Sequence, residues 1–119
     1  MSLNKTALGS ITFAAFVMAA IDGFMDDDEI SAINAFTLAH WSPDFGSLEA
    51  FMREVDDQIV GFFELLDGKN IEDPLFEDIL PQMNAEEKQA LTELMVDVMQ
   101  ADGVLEDAEL ELLERLKRA

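Results

Sequence analysis

Apolar positions recur three and four residues apart along almost the whole chain, the spacing of one face of an α-helix. The clearest run is Leu48, Phe51, Met52, Val55, Ile59, Phe62, Phe63 and Leu66. It predicts a long helix over about 47–66 whose Phe- and Met-rich stripe packs into the core, a partner groove being the other use of such a surface. Gly61 within it implies close approach of another helix. Over about 5–21 the chain is apolar nearly all round, the mark of a helix covered on more than one side. Three more helices follow from the same spacing. One spans 27–39 with Ile30, Ile33 and Phe36 inward. A second opens at Asn84 with Leu91, Leu94, Met95 and Val98 on one face, and a third runs to the C-terminus with Leu110, Leu113 and Leu116 inward. A short helix over 73–79 fits between Pro74 near its first turn and Pro81 beyond its end. No alternating strand pattern and no Tyr interrupt this picture. The expected class is all-α, a single-domain helical bundle over residues 1–119.

The helices repeat. Asp22-Gly23 recurs as Asp102-Gly103 at an offset of 80 (102 − 22), and the match extends to Glu29 on Glu109, Ile30 on Leu110 and Ile11 on Leu91. Two related helix pairs, about 5–39 and 84–118, are thus bridged by the long helix and the short one. The second copy carries Glu93 and Asp97 where the first has Phe13 and Val17, so the first copy should be the more central. Gly23 and Gly103 suit the left-handed residue that closes a helix. Asp26 with Glu29, and Asn84 with Glu87, have capping-box spacing, and Asp27 and Asp28 add charge favourable to a helix N-terminus.

In the connector 40–46, Trp41 and Phe45 are expected to fold back onto the core, and His40 to sit at a helix end as a cap or surface residue. Arg115, Lys117 and Arg118 suit the last turn of the C-terminal helix.

Charge narrows the function. The chain carries 26 acidic and 7 basic side chains, a formal net charge of −19. Such a surface repels nucleic-acid phosphates and anionic membranes and attracts divalent metals or basic proteins; it also serves plain solubility. The N-terminal apolar run is superficially like a signal peptide, but it matches the helix before Asp102 and is too short to span a bilayer. A buried helix and a cytoplasmic protein are expected. There is no Cys and one His, which removes thiolate sites and zinc motifs. With no Gly-rich phosphate loop either, an enzyme is not expected.

The two acidic turns are the candidate site. A calcium loop of the EF-hand type fails, because its first and third ligand positions would hold Met18 and Ala20, or Val98 and Gln100. Capping accounts for the acids without any ligand, with Asp22 and Asp102 bracing the turns and Glu29 and Glu109 completing caps. The alternative is one divalent cation, calcium or magnesium, shared by Asp22, Asp26, Glu29, Asp102, Glu106 and Glu109 where the two turns converge.

The segments Met18-Ala19-Ala20-Ile21-Asp22-Gly23 through Glu29-Ile30, and Met99-Gln100-Ala101-Asp102-Gly103 through Glu109-Leu110, resemble the repeated motif of the TerB-like family. That family includes tellurite-resistance proteins and the N-terminal domain of a membrane-anchored DnaJ-like co-chaperone. The resemblance implies an all-α domain of related helix pairs, a role in bacterial stress response, and acidic positions at Asp22, Glu29, Asp102 and Glu109 with a divalent cation at the turns. The chain departs from the pattern at Glu106, which stands for a shorter capping residue, and in its Phe-rich first helix. The expectation is a non-enzymatic stress-response domain that works by cation binding, by contact with a basic or stress-pathway protein, or by both. The runner-up is a purely structural adaptor that docks a basic partner without metal.

Overall fold

A computed structural model describes residues 3–20, 27–66, 74–100 and 107–118, except the side chains of residues 108 and 109. Five α-helices lie among them: α1 (Lys5–Ala19), α2 (Asp27–Ala39), α3 (Leu48–Leu66), α4 (Ala85–Gln100) and α5 (Asp107–Arg118). Among the described residues there is no strand. Helix starts follow the repeat, since Lys5 and Ala85 differ by 80, as do Asp27 and Asp107.

Side-chain caps fix the starts of α1 and α4. Asn4 Oδ1 accepts the Ala7 N–H at 2.7 Å, and Asn84 Oδ1 accepts the Glu87 N–H at 2.8 Å, so both repeats open on the same side-chain cap. Ser47 does the same for α3, accepting from Ala50 N–H at 3.2 Å. At its other end α1 stops at Ala19, two residues earlier than the apolar run suggests. The Ala20 N–H is shared between the Phe16 and Val17 carbonyls, the tightening common in a last turn. The proposed helix-closing Gly23 and Gly103, and the Asp26 cap, lie outside the described residues.

Helix α1 is the centre of the molecule. It packs on α2, α3 and α4, and Leu8, Ile11, Ala14, Ala15 and Val17 are fully buried. Each large apolar side chain buried this way contributes about 1.5–3 kcal/mol. The central place inferred from Phe13 and Val17 follows from this cover. Helix α4 supplies the opposite wall with Leu91, Leu94, Met95 and Val98, all buried.

The two helix pairs are packed differently. Helix α2 is covered by both α1 and α4, whereas α5 packs chiefly on α4 among the described residues. The buried line of α2 is Ile33 and Thr37, with Ile30 and Phe36 only half-buried. On α5 it is Leu112 and Leu116, and the expected inward Leu110 is 41% exposed. With α4 as its main neighbour among the described residues, α5 turns a different line of side chains to the core. Thr12 and its repeat mate Thr92 diverge for the same reason. Thr12 meets Thr37, but the matching position on α5 is Lys117, and Thr92 bonds back to the Lys88 carbonyl at 2.8 Å.

Helix α3 bears out one expectation in part, since Leu48, Met52, Ile59 and Phe62 pack against the core while staying half-buried, and corrects another. Only Phe51, Val55 and Leu66 of its stripe are buried; Met52, Ile59, Phe62 and Phe63 are half-buried, because α3 has α1 as its main neighbour. Gly61 is not a site of close approach. A β-carbon built there meets nothing within 4 Å among the described residues, while the tighter contact is at Gly9, whose β-carbon would lie 3.5 Å from the Phe51 ring.

The connector and the mid-chain segment complete the fold. Residues Pro43–Phe45 form a 3₁₀ turn closed by Gly46 at φ 95°, a conformation suited to glycine. Trp41 packs its ring on Phe45 (5.3 Å) and Phe51 (5.0 Å), lying over the core. The segment foreseen as a short helix is a wider turn, Leu75–Ile79, in which Leu80 N–H reaches back to the Leu75 carbonyl. Pro81 lies beyond its end, as expected, inside a 3₁₀ turn, Leu80–Gln82, that follows at once. It is tolerated there because the start of a helical turn needs no N–H from it. Arg115 of α5 sits 4.2 Å over the Phe76 ring, tying this segment to the C-terminal helix.

Candidate functional site

Charge is concentrated where α2 begins. Asp27, Asp28 and Glu29 fill its first turn, where carboxylates are favoured by the positive end of the helix dipole. Asp27 and Asp28 are exposed and Glu29 is half-buried. Glu109 belongs by backbone to the matching first turn of α5. Asp22, Asp26, Asp102 and Glu106, and the side chain of Glu109, lie outside the described residues. Among the described residues, no three His, Asp or Glu side chains converge as a metal cage.

The donor chemistry of the acidic turns is all oxygen. The chain has no Cys, and its single His lies past the far end of α2 from Asp27. His40 follows the last residue of α2, about 20 Å along the helix from Asp27 at about 1.5 Å per residue. Its ring stacks on Phe36 at 4.5 Å and remains exposed. A carboxylate-only set suits a hard cation such as calcium or magnesium and offers nothing to soft metals.

A second feature is a concavity that periodicity alone does not reveal. Helices α2 and α3 each lean on α1 and hardly touch one another among the described residues. The groove left between them has a volume of about 540 Å³. It is lined by Ile30, Asn34 and Leu38 of α2 and by Leu48, Met52 and Asp56 of α3, with the buried Phe16 and Thr37 forming its floor. No buried side-chain nitrogen or oxygen lacks a partner among the described residues, so no orphaned polar group points into a cavity. Nucleophile and base pairs of the kind that support catalysis are not assembled there.

No helix among the described residues is long and apolar enough to cross a membrane. No curated protein and no solved structure matches the chain. The family model for tellurite resistance protein TerB matches residues 9–119, nearly the whole helical domain. The chain therefore belongs to the TerB family, and that membership implies a stress role of the tellurite-resistance kind.

Proposed function

We propose that this protein is a non-enzymatic, acidic stress-response domain of the cytoplasm that acts by binding a divalent cation and by contacting other proteins. The observation that carries the reading is the common register of the two helix pairs. Both second helices start 80 residues apart, at Asp27 and Asp107, directly after the acidic segments 22–26 and 102–106. Asp22, Asp26, Glu29, Asp102, Glu106 and Glu109 are the carboxylates that would hold calcium or magnesium. A bound cation would offset their mutual repulsion and so favour the folded state.

The test is thermal denaturation with and without calcium or magnesium at millimolar levels. A rise in Tm that disappears in the Asp22→Asn, Asp102→Asn double variant is the expected result. An unchanged Tm with either metal removes the cation and leaves protein contact alone. The net charge of −19 favours that second reading, an adaptor for a basic partner, whose capture would be salt-sensitive and unaffected by chelator.

A further inference from the structure

We infer that the groove between α2 and α3 is the docking site for a basic amphipathic helix of a partner protein, an inference that rests on the protein-contact half of the proposed function.

Shape comes first. The wall positions on each helix are four residues apart: Ile30, Asn34 and Leu38 on one side, Leu48, Met52 and Asp56 on the other. Eight residues of rise make each wall about 12 Å long, room for about two turns of a third helix. Leu38, at one end, is 63% exposed, and Val60, one turn beyond Asp56, is 54% exposed. The floor makes no polar demand on an occupant, because the Thr37 hydroxyl already bonds to Thr12 and to the Ile33 carbonyl. What fits is an apolar stripe at helical spacing.

Charge decides among occupants. Helix α2 has three acidic residues and no Lys or Arg; α3 has five acidic residues and one Arg. That Arg53 is paired with Glu49 at 3.3 Å. Asp56 lines the α3 wall and exposed Asp27 lies one turn before Ile30 of the α2 wall, while Leu38 and Leu48 make the groove apolar elsewhere. A second copy of the chain brings another net charge of −19 and is repelled, as is an anionic lipid surface. A helix with apolar residues on one side and Lys or Arg placed to reach Asp56 meets complementary groups of both kinds.

The experiment uses the full chain in EDTA and, as probe, a labelled synthetic helix of Leu and Lys at amphipathic spacing, read by fluorescence anisotropy at physiological salt. Saturable binding is expected. Leu38→Glu and Asp56→Lys should each weaken it about tenfold or more. Glu93→Lys, an exposed change on α4 outside the groove, should cost no more than about twofold. Leu38→Glu makes the protein more acidic, so its loss of binding separates apolar docking from charge attraction. Both positions are exposed, and far-UV circular dichroism checks that the variants fold. Equal binding by Leu38→Glu, or an equal loss in Glu93→Lys, overturns the inference, since diffuse charge would then explain the affinity. A concentration-dependent dimer abolished by Leu38→Glu, or binding to phosphatidylserine vesicles, also overturns it. If calcium raises Tm but the peptide does not bind, this inference alone fails; if the peptide binds and metals do nothing, the cation half of the proposed function fails.

Discussion

Thr12 on α1 and Thr37 on α2 hold their hydroxyl oxygens 3.1 Å apart in the core, both side chains buried. Thr37 gives its proton to the Ile33 carbonyl at 3.0 Å, so the bond between the two hydroxyls runs from Thr12 to Thr37. The resulting chain is the polar clasp between the central helix and its neighbour. Thr12 depends on Thr37 for its partner, whereas Thr37 keeps the Ile33 carbonyl without Thr12.

That asymmetry makes a prediction. Thr37→Val strands the Thr12 hydroxyl and should cost about 1–3 kcal/mol. Thr12→Val leaves Thr37 bonded to Ile33 and should cost about 1 kcal/mol. The double variant should be less damaging than Thr37→Val alone, because no polar group is then buried without a partner. Urea denaturation of the four proteins measures this, and strictly additive losses would mean that the two hydroxyls do not act together.

Gly61 offers a gain in stability. It lies inside α3 with open space where a β-carbon would go, so Gly61→Ala should stabilise the protein by about 0.5–1 kcal/mol through the higher helix propensity of Ala. A higher urea midpoint with an unchanged slope is the expected readout. A loss of stability would show that the position is crowded after all.

The matched caps should behave alike. Asn4→Ala and Asn84→Ala should each destabilise by about 1 kcal/mol, and replacement of either by Gly by only a few tenths. Similar bond lengths, 2.7 and 2.8 Å, lead to similar losses in thermal or urea denaturation. A large loss at one and none at the other would separate the two helix starts energetically despite their shared geometry.

Much of this fold is legible in the residues, and the gaps have physical causes. Apolar spacing locates the helices within a few residues, and the contrast of Phe13 and Val17 with Glu93 and Asp97 identifies α1 as central. The Asn4 cap carried the same signal as Asn84 and was readable from the repeat, since the two Asn residues share a register. Other features depend on the distance between helices, which periodicity does not encode. An apolar stripe shows that α3 has a face to bury but not how much cover it receives, so Met52, Ile59 and Phe62 read as core although they are half-buried. The groove beside them has the same origin. The Thr12–Thr37 clasp was hidden because each Thr, taken singly, reads only as an indifferent helix residue. The acidic turns stand out through their repetition, and of their six carboxylates only Glu29 has a described side chain.

The enclosure of α1 also bears on how the molecule is made. This helix draws cover from α4, which begins 80 residues downstream (85 − 5). At a synthesis rate of about 5–20 residues per second, one side of it waits on the order of 4–16 s for its partner. During that interval the ribosome displays a greasy cylinder with an incomplete sheath, the kind of surface that chaperones hold and that neighbouring nascent chains stick to. The segment that organises the finished molecule is therefore its most vulnerable part during translation.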